Sequence, residues 1–323
     1  MSEQVQLQAQ VEDDLIGKRL DQVVAQLFPD YSRSRLQGWI KDGSLTVDGE
    51  SRRPRDKMMG GEVVRVEATL EVIDEHQAED IPLDIVYEDD DILVLNKPAG
   101  LVVHPAVGHR SGTLLNALLH HSPEIAQVPR AGIVHRLDMD TTGLMVVAKN
   151  IQAQTDLVAQ LQERSMGREY EAVVHKVMTG GGMVEEPMAR STRNRQKMAV
   201  SPLGKEAITH YRLLKKYRSH SHIRLKLETG RTHQIRVHMS YIGYPLIGDQ
   251  LYGGRFRLPK GATEDLQQTL KTFMRQALHA KKLELHHPVS GELMSWEVDL
   301  PEDMQQLLEV LEQDAQAQDD YEL

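Results

Sequence analysis

Segments with the patterns of strands and of helices follow one another in irregular order from residue 85 onward. Residues 222–228 alternate strictly, with one face apolar and the other largely basic, which is typical of a strand with one buried face. The other candidate strands are 92–95, 101–103, 144–148 and 170–174, and the candidate helices are 112–121, 151–164 and 232–242. Irregular order with long strands favours an α+β fold with a mostly antiparallel sheet.

The first 75 residues predict a separate small module. Apolar residues recur at helical spacing from Ile16 to Leu27, and a second short helix is expected over 33–40, with Ser32 as its N-cap. Short strands are expected at 45–47 and 63–66, the first leading into an Asp48-Gly49 turn. We therefore expect a tail or edge strand (1–13), the module (14–75), an acidic linker (76–85), a larger domain (86–300), and an amphipathic helix with an acidic tail (301–323).

Charge is strongly segregated along the chain. The 323 residues carry 38 Lys and Arg against 48 Asp and Glu, a net charge of −10. Residues 71–95 and 301–323 contain ten and eight carboxylates without a Lys or Arg, whereas residues 190–232 contain twelve Lys and Arg against two Glu. Because the local field steers a polyanion, the pattern predicts an acidic protein with a basic working surface.

Composition excludes several classes of protein. The chain has no cysteine, which excludes a disulfide framework, a zinc ribbon and a thiol nucleophile. Its first residues lack the pattern of a secretory signal, and no run approaches the length of a membrane span. Aromatic residues make up only 4%, too few for an RRM-type stacking platform. We therefore expect a soluble cytoplasmic protein without a membrane partner.

Two polar clusters could carry chemistry. Residues 134–143 (VHRLDMDTTG) precede an apolar strand, and residues 227–239 (LETGRTHQIRVHM) span a strand–helix junction. The first could be an ordinary turn, and Arg231 in the second could face solvent or meet a carboxylate from another loop. A calcium loop would need further acids, and His233 and His238 lie about 140° apart around a helix, so no metal site is expected.

The N-terminal module has a basic face. Residues 32–58 carry seven Lys and Arg against four acids, with Arg33 and Arg35 at a helix start that favours anions. Charge alone fits a solvated surface equally well. The pattern S-R-S-R-L-x-x-W-I-x-x-G, followed by V-x-G and a Lys-x-x-Gly-Gly that begins at Lys57, resembles the S4 RNA-binding module. In that family the helix matching residues 32–40 lies against structured RNA.

Five separated motifs resemble the RluA-type pseudouridine synthases in order, spacing and identity. They are N-K-P-A-G-L-V-V-H-P from Asn96, G-I-V-H-R-L-D-x-x-T-x-G from Gly132, Arg168-Glu169-Tyr170, T-G-R-T-H-Q-I-R-V-H-M from Thr229, and R-Q-A-L-H-A from Arg275. The resemblance covers roughly residues 15 to 300. It implies an isomerase with a catalytic domain around a central cleft. Met139 departs from the pattern, because close relatives usually carry a basic residue there.

The resemblance also implies roles for individual residues. Pseudouridylation breaks the uridine N1–C1′ bond and joins C5 to C1′, and an ionised carboxylate suits the positive charge that develops at C1′. By motif position this carboxylate is Asp138, with Arg231 as its guanidinium partner and Tyr170 stacked on the target base. Arg136 would fill the place of the flipped-out nucleotide. Expected RNA-binding residues are Arg33, Arg35, Lys57, Arg190, Arg193, Arg195 and Lys197.

The reaction is redox-neutral and needs no energy donor, so no cofactor and no metal are expected. The implied partner is 23S ribosomal RNA, at the helix 69 stem-loop, either free or within a large-subunit particle, acted on by a monomer. The alternative function is an RNA-binding ribosome-assembly factor whose synthase site is not its main role. Whether Asp138 attacks C1′ or removes a proton from C2′ stays open at this point.

Overall fold

The computed structural model describes residues 2–29, 31, 33–71, 77–106 and 108–319. Ser32, the expected N-cap, and residues 320–323 of the expected acidic tail lie outside this range. The chain forms two compact units that divide between residues 75 and 76.

The N-terminal unit combines a small antiparallel sheet with two helices. Its elements are β1 (Ser2–Gln10), α1 (Leu20–Leu27), α2 (Arg33–Asp42), β2 (Leu45–Val47) and β3 (Val63–Glu71). The strand order is β1-β3-β2. The core is built from fully buried aliphatic residues that include Leu20, Leu36, Leu45 and Val64. Both helices and both internal strands agree with the sequence prediction.

Residues 2–10 form an edge strand of this unit and not a separate tail. Gln10 pairs with Val63, and the register continues to Ser2 opposite Glu71. Val5 is buried in the core, and Leu7 packs against it. The polar residues in between, mostly glutamine, face outward, which is why the stretch has the composition of a tail although it alternates as a strand.

The C-terminal unit is built on one large mixed sheet. Its strands are β4 (Ile85–Glu88), β5 (Ile92–Lys97), β6 (Thr142–Ala148), β7 (Gly167–His175), β8 (Gly182–Glu185), β11 (Ile208–Lys216), β12 (His220–Leu227), β13 (Leu278–His286) and β14 (Leu293–Glu297). A separate ribbon pairs β9 (Met188–Arg190) with β10 (Met198–Val200). The helices are α3 (Leu114–His121), α4 (Ile151–Glu163), α5 (Gln234–Tyr241), α6 (Glu264–Thr272) and α7 (Glu302–Asp319).

The sheet order is β4-β5-β6-β13-β7-β12-β11-β8, with β14 beside β13. The β6–β13 pair is parallel, and the other pairs are antiparallel, as expected for the predicted fold class. At the β6–β13 contact Gly143 has a φ of +112°, and a Cβ there would lie 2.3 Å from the Ala280 carbonyl oxygen. Only glycine fits this approach of the two backbones.

Strand β6 is buried on both faces, because the two sides of the sheet are covered by different layers. Met145 and Val147 belong to the large core that also contains α3 and Tyr170. Leu144 and Val146 pack on the other side with Leu157 of α4. A central strand covered on both sides gives the loop before it a rigid attachment.

Three expectations need correction. Residues 101–103 are not a strand but a buried loop, whose Val102 carbonyl accepts the Leu114 N–H. Residues 77–85 are not a free linker, because Glu79 bonds to Asn116 and Ile81 packs on the core. The C-terminal segment is the predicted amphipathic helix, but α7 packs on α6 within the same unit.

Among the helices in the described part of the chain, none combines the length and the apolar character needed to cross a membrane.

Candidate active site

Asp138 lies in the loop that leads into β6 and faces a cleft of about 540 Å³. The backbone of this loop is a tight turn, in which the Thr141 N–H donates to the Asp138 carbonyl oxygen at 3.1 Å. The turn is closed by backbone groups, so the carboxylate is not used to satisfy it. Its side chain is 15% exposed and remains available to the cleft.

Lys97, at the end of β5, holds this loop in place through hydrogen bonds. Its ammonium group is fully buried and donates to the carbonyl oxygens of Pro98 (2.7 Å), Leu101 (3.0 Å) and Met139 (2.7 Å). Burial lowers the pKa of Lys97 to about 8, although the charges of Asp140 and Asp138 oppose the shift. Met139 therefore contributes through its backbone, while its side chain is exposed.

Arg236 of α5 is the guanidinium partner of Asp138. Its Nη1 donates to Asp138 Oδ2 at 2.8 Å, while Nε and Nη2 donate to the buried carboxylate of Asp249 at 2.7 and 2.8 Å. Burial alone would lower the pKa of Arg236, but the bonds to Asp249 and Asp138 raise it above its ordinary value. The cation that holds Asp138 therefore stays charged.

The expected pairing of Arg231 with Asp138 is wrong. Arg231 lines the same cleft but is exposed, and its Nε donates to the Glu206 carbonyl oxygen at 3.0 Å. The turn between β12 and α5 decides this, because Gln234 accepts the Arg231 N–H and donates to the Ile208 carbonyl oxygen. The turn fixes Arg231 before the helix begins, whereas Arg236 lies within the helix and points to Asp138.

His233 and Tyr252 extend the network around Asp138. The Tyr252 hydroxyl accepts the Met198 N–H and forms a hydrogen bond of 2.8 Å with His233 Nδ1. Burial lowers the pKa of His233, although the charge of Asp138 opposes the shift, and His233 Nε2 lies 3.8 Å from Asp138 Oδ1. This network ties strand β10 to the site.

Tyr170 of β7 lines the same cleft. The residue is 5% exposed, and burial raises the pKa of its phenol, as does the negative charge of Asp138. A buried aromatic ring in the cleft with Asp138 gives a flat apolar surface next to an acidic group. This arrangement suits a planar heterocycle attached to a sugar.

Two segments of the chain match protein-family models. Residues 91–241 match the model described as RNA pseudouridylate synthase, and residues 18–64 match the S4 domain. A Pseudomonas aeruginosa protein named "Ribosomal large subunit pseudouridine synthase D" is 62% identical over 317 residues, which cover 98% of this chain and 99% of that protein. The chain belongs to the RNA pseudouridylate synthase family. It is an isomerase with an N-terminal S4 domain.

Further relatives of the synthase have names or solved structures of the same family. A protein of the same name from Escherichia coli K12 is 56% identical over 315 residues, 97% of each chain. The solved structure of "Human RNA Pseudouridylate Synthase Domain Containing 4" matches with a TM-score of 0.56 and 26% identity, covering 71% of this chain and 92% of that one. "Human RNA Pseudouridylate Synthase Domain Containing 1", 23% identical with a TM-score of 0.52 over 73% and 97% of the two chains, shares the fold.

The other expected RNA-binding residues of the synthase occupy exposed positions, except for Lys197, which is half-buried. Arg136 is exposed at the cleft, and Arg190, Arg193 and Arg195 are exposed in and beside the turn that joins β9 to β10. Lys197 lies with its Nζ 5.7 Å from the centre of the Tyr252 ring. Since Tyr252 also contacts His233, this ribbon is anchored to the network around Asp138. In the N-terminal unit, Arg33, Arg35 and Lys57 are exposed.

Three residues of the candidate site were not singled out from the sequence. They are Arg236, Lys97, and Arg168, a residue of β7 that also lines the cleft. All three lie inside the five motifs, so the signal was present. Arg231 and Arg236 occur in one motif, and only the geometry of the turn separates them. The role of Lys97 depends on three backbone carbonyl groups, which a sequence pattern does not display.

A group of possible metal ligands lies outside the residues that line the cleft. The ligand atoms of Asp89, Asp91 and His287 lie within 4.8 Å of one another. However, the Asp89 carboxylate already accepts the backbone N–H groups of Asp91 and Ile92 and the Tyr87 hydroxyl. Its lone pairs close the turn between β4 and β5, and this group gives no argument for a metal.

Proposed function

We propose that the synthase converts uridines of 23S ribosomal RNA to pseudouridine, with Asp138 acting at the ribose of a flipped-out nucleotide. One observation carries the assignment, namely the bond from Arg236 to the Asp138 carboxylate in the cleft that contains Tyr170. An ionised carboxylate held in this way suits the positive charge that develops at C1′ when the N1–C1′ bond breaks.

Tyr170 is proposed to stack on the target base, and Arg136 to occupy the space that the flipped nucleotide leaves. Flipping costs a few kcal/mol, and a planar cation that stacks on neighbouring bases offsets part of this cost. The cations in and beside the β9–β10 ribbon, Arg190, Arg193, Arg195 and Lys197, would contact the RNA backbone. In the S4 domain, Arg33, Arg35 and Lys57 would contact phosphates of a neighbouring stem.

The names of the relatives support the ribosomal large subunit as the source of the substrate. Within it we propose the helix 69 stem-loop as the target, acted on by a cytoplasmic monomer. A modification map of ribosomal RNA from cells that lack the synthase tests this choice. Loss of pseudouridines in this loop is expected, and loss confined to other helices would contradict it.

The reaction itself is tested by tritium release from ribosomal RNA labelled at C5 of uridine. Asp138→Asn is expected to slow release by at least about 100-fold while the protein stays folded. Asp140→Asn is the matched control, because Asp140 lies two residues away and outside the network with Arg236. An Asp138→Asn protein with wild-type release would refute the assignment.

A further inference from the structure

Arg168 is a buried cation that has no anionic partner among the residues the structure describes. It lies on β7, is 6% exposed, and its Nε is buried without a hydrogen-bond acceptor in this part of the chain. Its Nη2 donates a long hydrogen bond of 3.5 Å to the Glu228 carbonyl oxygen. No carboxylate of the described residues lies within ion-pair distance of this guanidinium. The neighbouring Glu228 carboxylate is paired with Arg164 and His210 instead.

Such a group is expensive to bury, because a charge taken out of water without a partner costs several kcal/mol. Accordingly, burial lowers the pKa of Arg168, although the guanidinium remains protonated under ordinary conditions. The other buried arginine that lines the cleft, Arg236, has two carboxylate partners. We infer that an anionic group of a bound ligand pairs with Arg168, since the described part of the protein does not supply one.

The position of Arg168 indicates where that group would lie. Arg168 and Tyr170 are two residues apart on one strand, so both side chains lie on the same face, and both line the cleft. Gly230, on the facing turn, leaves the space for the guanidinium, since a Cβ there would lie 2.6 Å from Arg168 Nη1. Arg168 therefore lies in the buried part of the cleft beside Tyr170, whereas Arg136 and Arg231 are exposed.

We propose that Arg168 contacts the target base and stabilises the negative charge that the uracil ring acquires when the N1–C1′ bond breaks. This inference rests on the proposed function. When the bond breaks, its electron pair stays with N1, and the charge spreads over N1 and the two carbonyl oxygens. Asp138 meets the positive charge at C1′. C5 then bonds to C1′, the C5 proton is released to solvent, and N1 takes up a proton from solvent. The guanidinium donates hydrogen bonds throughout and keeps its own protons.

Arg168→Met separates this role from a structural one. Replacement of an unpaired buried cation by an apolar side chain of similar length is neutral or stabilising, so the melting temperature should not fall. Single-turnover conversion should nevertheless slow by about 100-fold or more, as for the loss of one donor to a developing anion. Arg168→Lys should recover part of the rate. Lys282→Met, on the adjacent strand β13 and outside the cleft lining, is the control expected to match wild type.

The chemical test uses RNA with 5-fluorouridine at the target position. C5 of this base carries fluorine and has no proton to lose, so the readout is the conversion of 5-fluorouridine to its C5–C1′-linked isomer or the hydrate of that isomer, followed by chromatography and mass spectrometry of digested RNA. Fluorine stabilises the departing uracil anion, so the rate lost in Arg168→Met, relative to wild type on the same RNA, should be smaller than with uridine. An equal loss on both RNAs would overturn the proposal, as would wild-type activity of Arg168→Met or a lowered melting temperature that explains the loss.

Backbone phosphate is the other anion that this guanidinium could bind. RNA with neutral methylphosphonates on both sides of the target nucleotide distinguishes the two. The effect of Arg168→Met should persist on this RNA, and its disappearance would show a phosphate contact and overturn the proposal. If wild-type synthase releases no tritium from uridine-labelled RNA, the proposed function fails first, and this result is distinguishable because it does not involve the variant.

Discussion

The guanidinium of Arg236 hydrogen-bonds to the carboxylate of Asp138 at 2.8 Å, although 98 residues separate the two in the sequence. The same guanidinium makes two bonds to Asp249, whose side chain is completely buried. Arg236 therefore compensates both Asp138, the carboxylate proposed to act at the ribose, and Asp249, a carboxylate that is buried away from solvent.

Replacement of Arg236 should consequently damage both stability and activity. Arg236→Met leaves Asp249 buried without a cation, and we expect the free energy of unfolding to fall by about 3–5 kcal/mol. Arg231→Met should leave stability nearly unchanged, because its guanidinium is exposed and bonds to a backbone carbonyl group. Urea unfolding and tritium release measure the two effects. Equal stability of the two variants would contradict the assignment of Arg236.

Lys97 is expected to act through the position of the Asp138 loop. Lys97→Met removes donors from the carbonyl oxygens of Pro98, Leu101 and Met139, which should cost about 2–4 kcal/mol of stability. The loop would then hold Asp138 less firmly, so the rate on saturating RNA should fall more than the affinity. Lys149→Met, which removes an ion pair with Glu88, is the control. Unchanged single-turnover rates in Lys97→Met would count against this positioning role.

The ion pairs of Glu171 should make the stability of the fold decrease at low pH. Burial would raise the pKa of this carboxyl, but hydrogen bonds from His222 and Arg224 lower it to about 2, below its ordinary 4.5. The ionised form therefore stabilises the fold fully above pH 4.5, and this contribution is lost as the pH falls toward 2. Glu171→Gln should be less stable than wild type by up to about 3 kcal/mol at pH 5, with a smaller difference at pH 2.5.

Glu169→Gln, at a more exposed carboxylate of the same strand, should show little of this dependence. A Glu171→Gln difference that is constant with pH would be inconsistent with the ion pairs.

The S4 domain predicts a change in salt dependence. Arg33→Gln combined with Arg35→Gln should flatten the slope of log affinity against log salt by about 0.9 for each duplex phosphate of the stem that is no longer neutralised. Titrations of labelled stem-loop RNA at several salt concentrations give this slope. Arg19→Gln is the control, because it removes a cation of the same unit that lies outside helix α2. If the double variant and the control shared one slope, helix α2 would not contact RNA.

The elements with regular apolar periodicity were predictable from the sequence. The predicted elements that the structure contains are helices α1 to α5 and α7 and strands β2, β3, β5, β6, β7 and β12. The sequence did not predict helix α6 or the strands β4, β8, β9, β10, β11, β13 and β14, because these elements are short or carry many polar residues. The strand predicted at residues 101–103 is wrong because these residues form a buried loop, and a buried loop also carries apolar side chains.

The candidate site was predictable as a set of motifs but not as a set of contacts. The motifs contain Asp138, Tyr170, Arg168 and Arg236, yet the choice between two arginines five residues apart depends on a turn set by Gln234. Likewise, the unsatisfied Nε of Arg168 becomes visible only when the described residues around it are known. Sequence patterns name the chemical groups, whereas their distances follow from the fold.

The pairing of β1 with β3 has an evolutionary consequence. Because Ser2 lies opposite Glu71, the first and last strands of the N-terminal unit run side by side. Because its two ends lie close together, such a unit can be inserted into a host chain, exchanged or removed with little displacement of the host residues that flank it. Accessory recognition modules with both ends together are therefore easy to combine with an existing enzyme, and new target preferences can arise while the reaction chemistry is left intact.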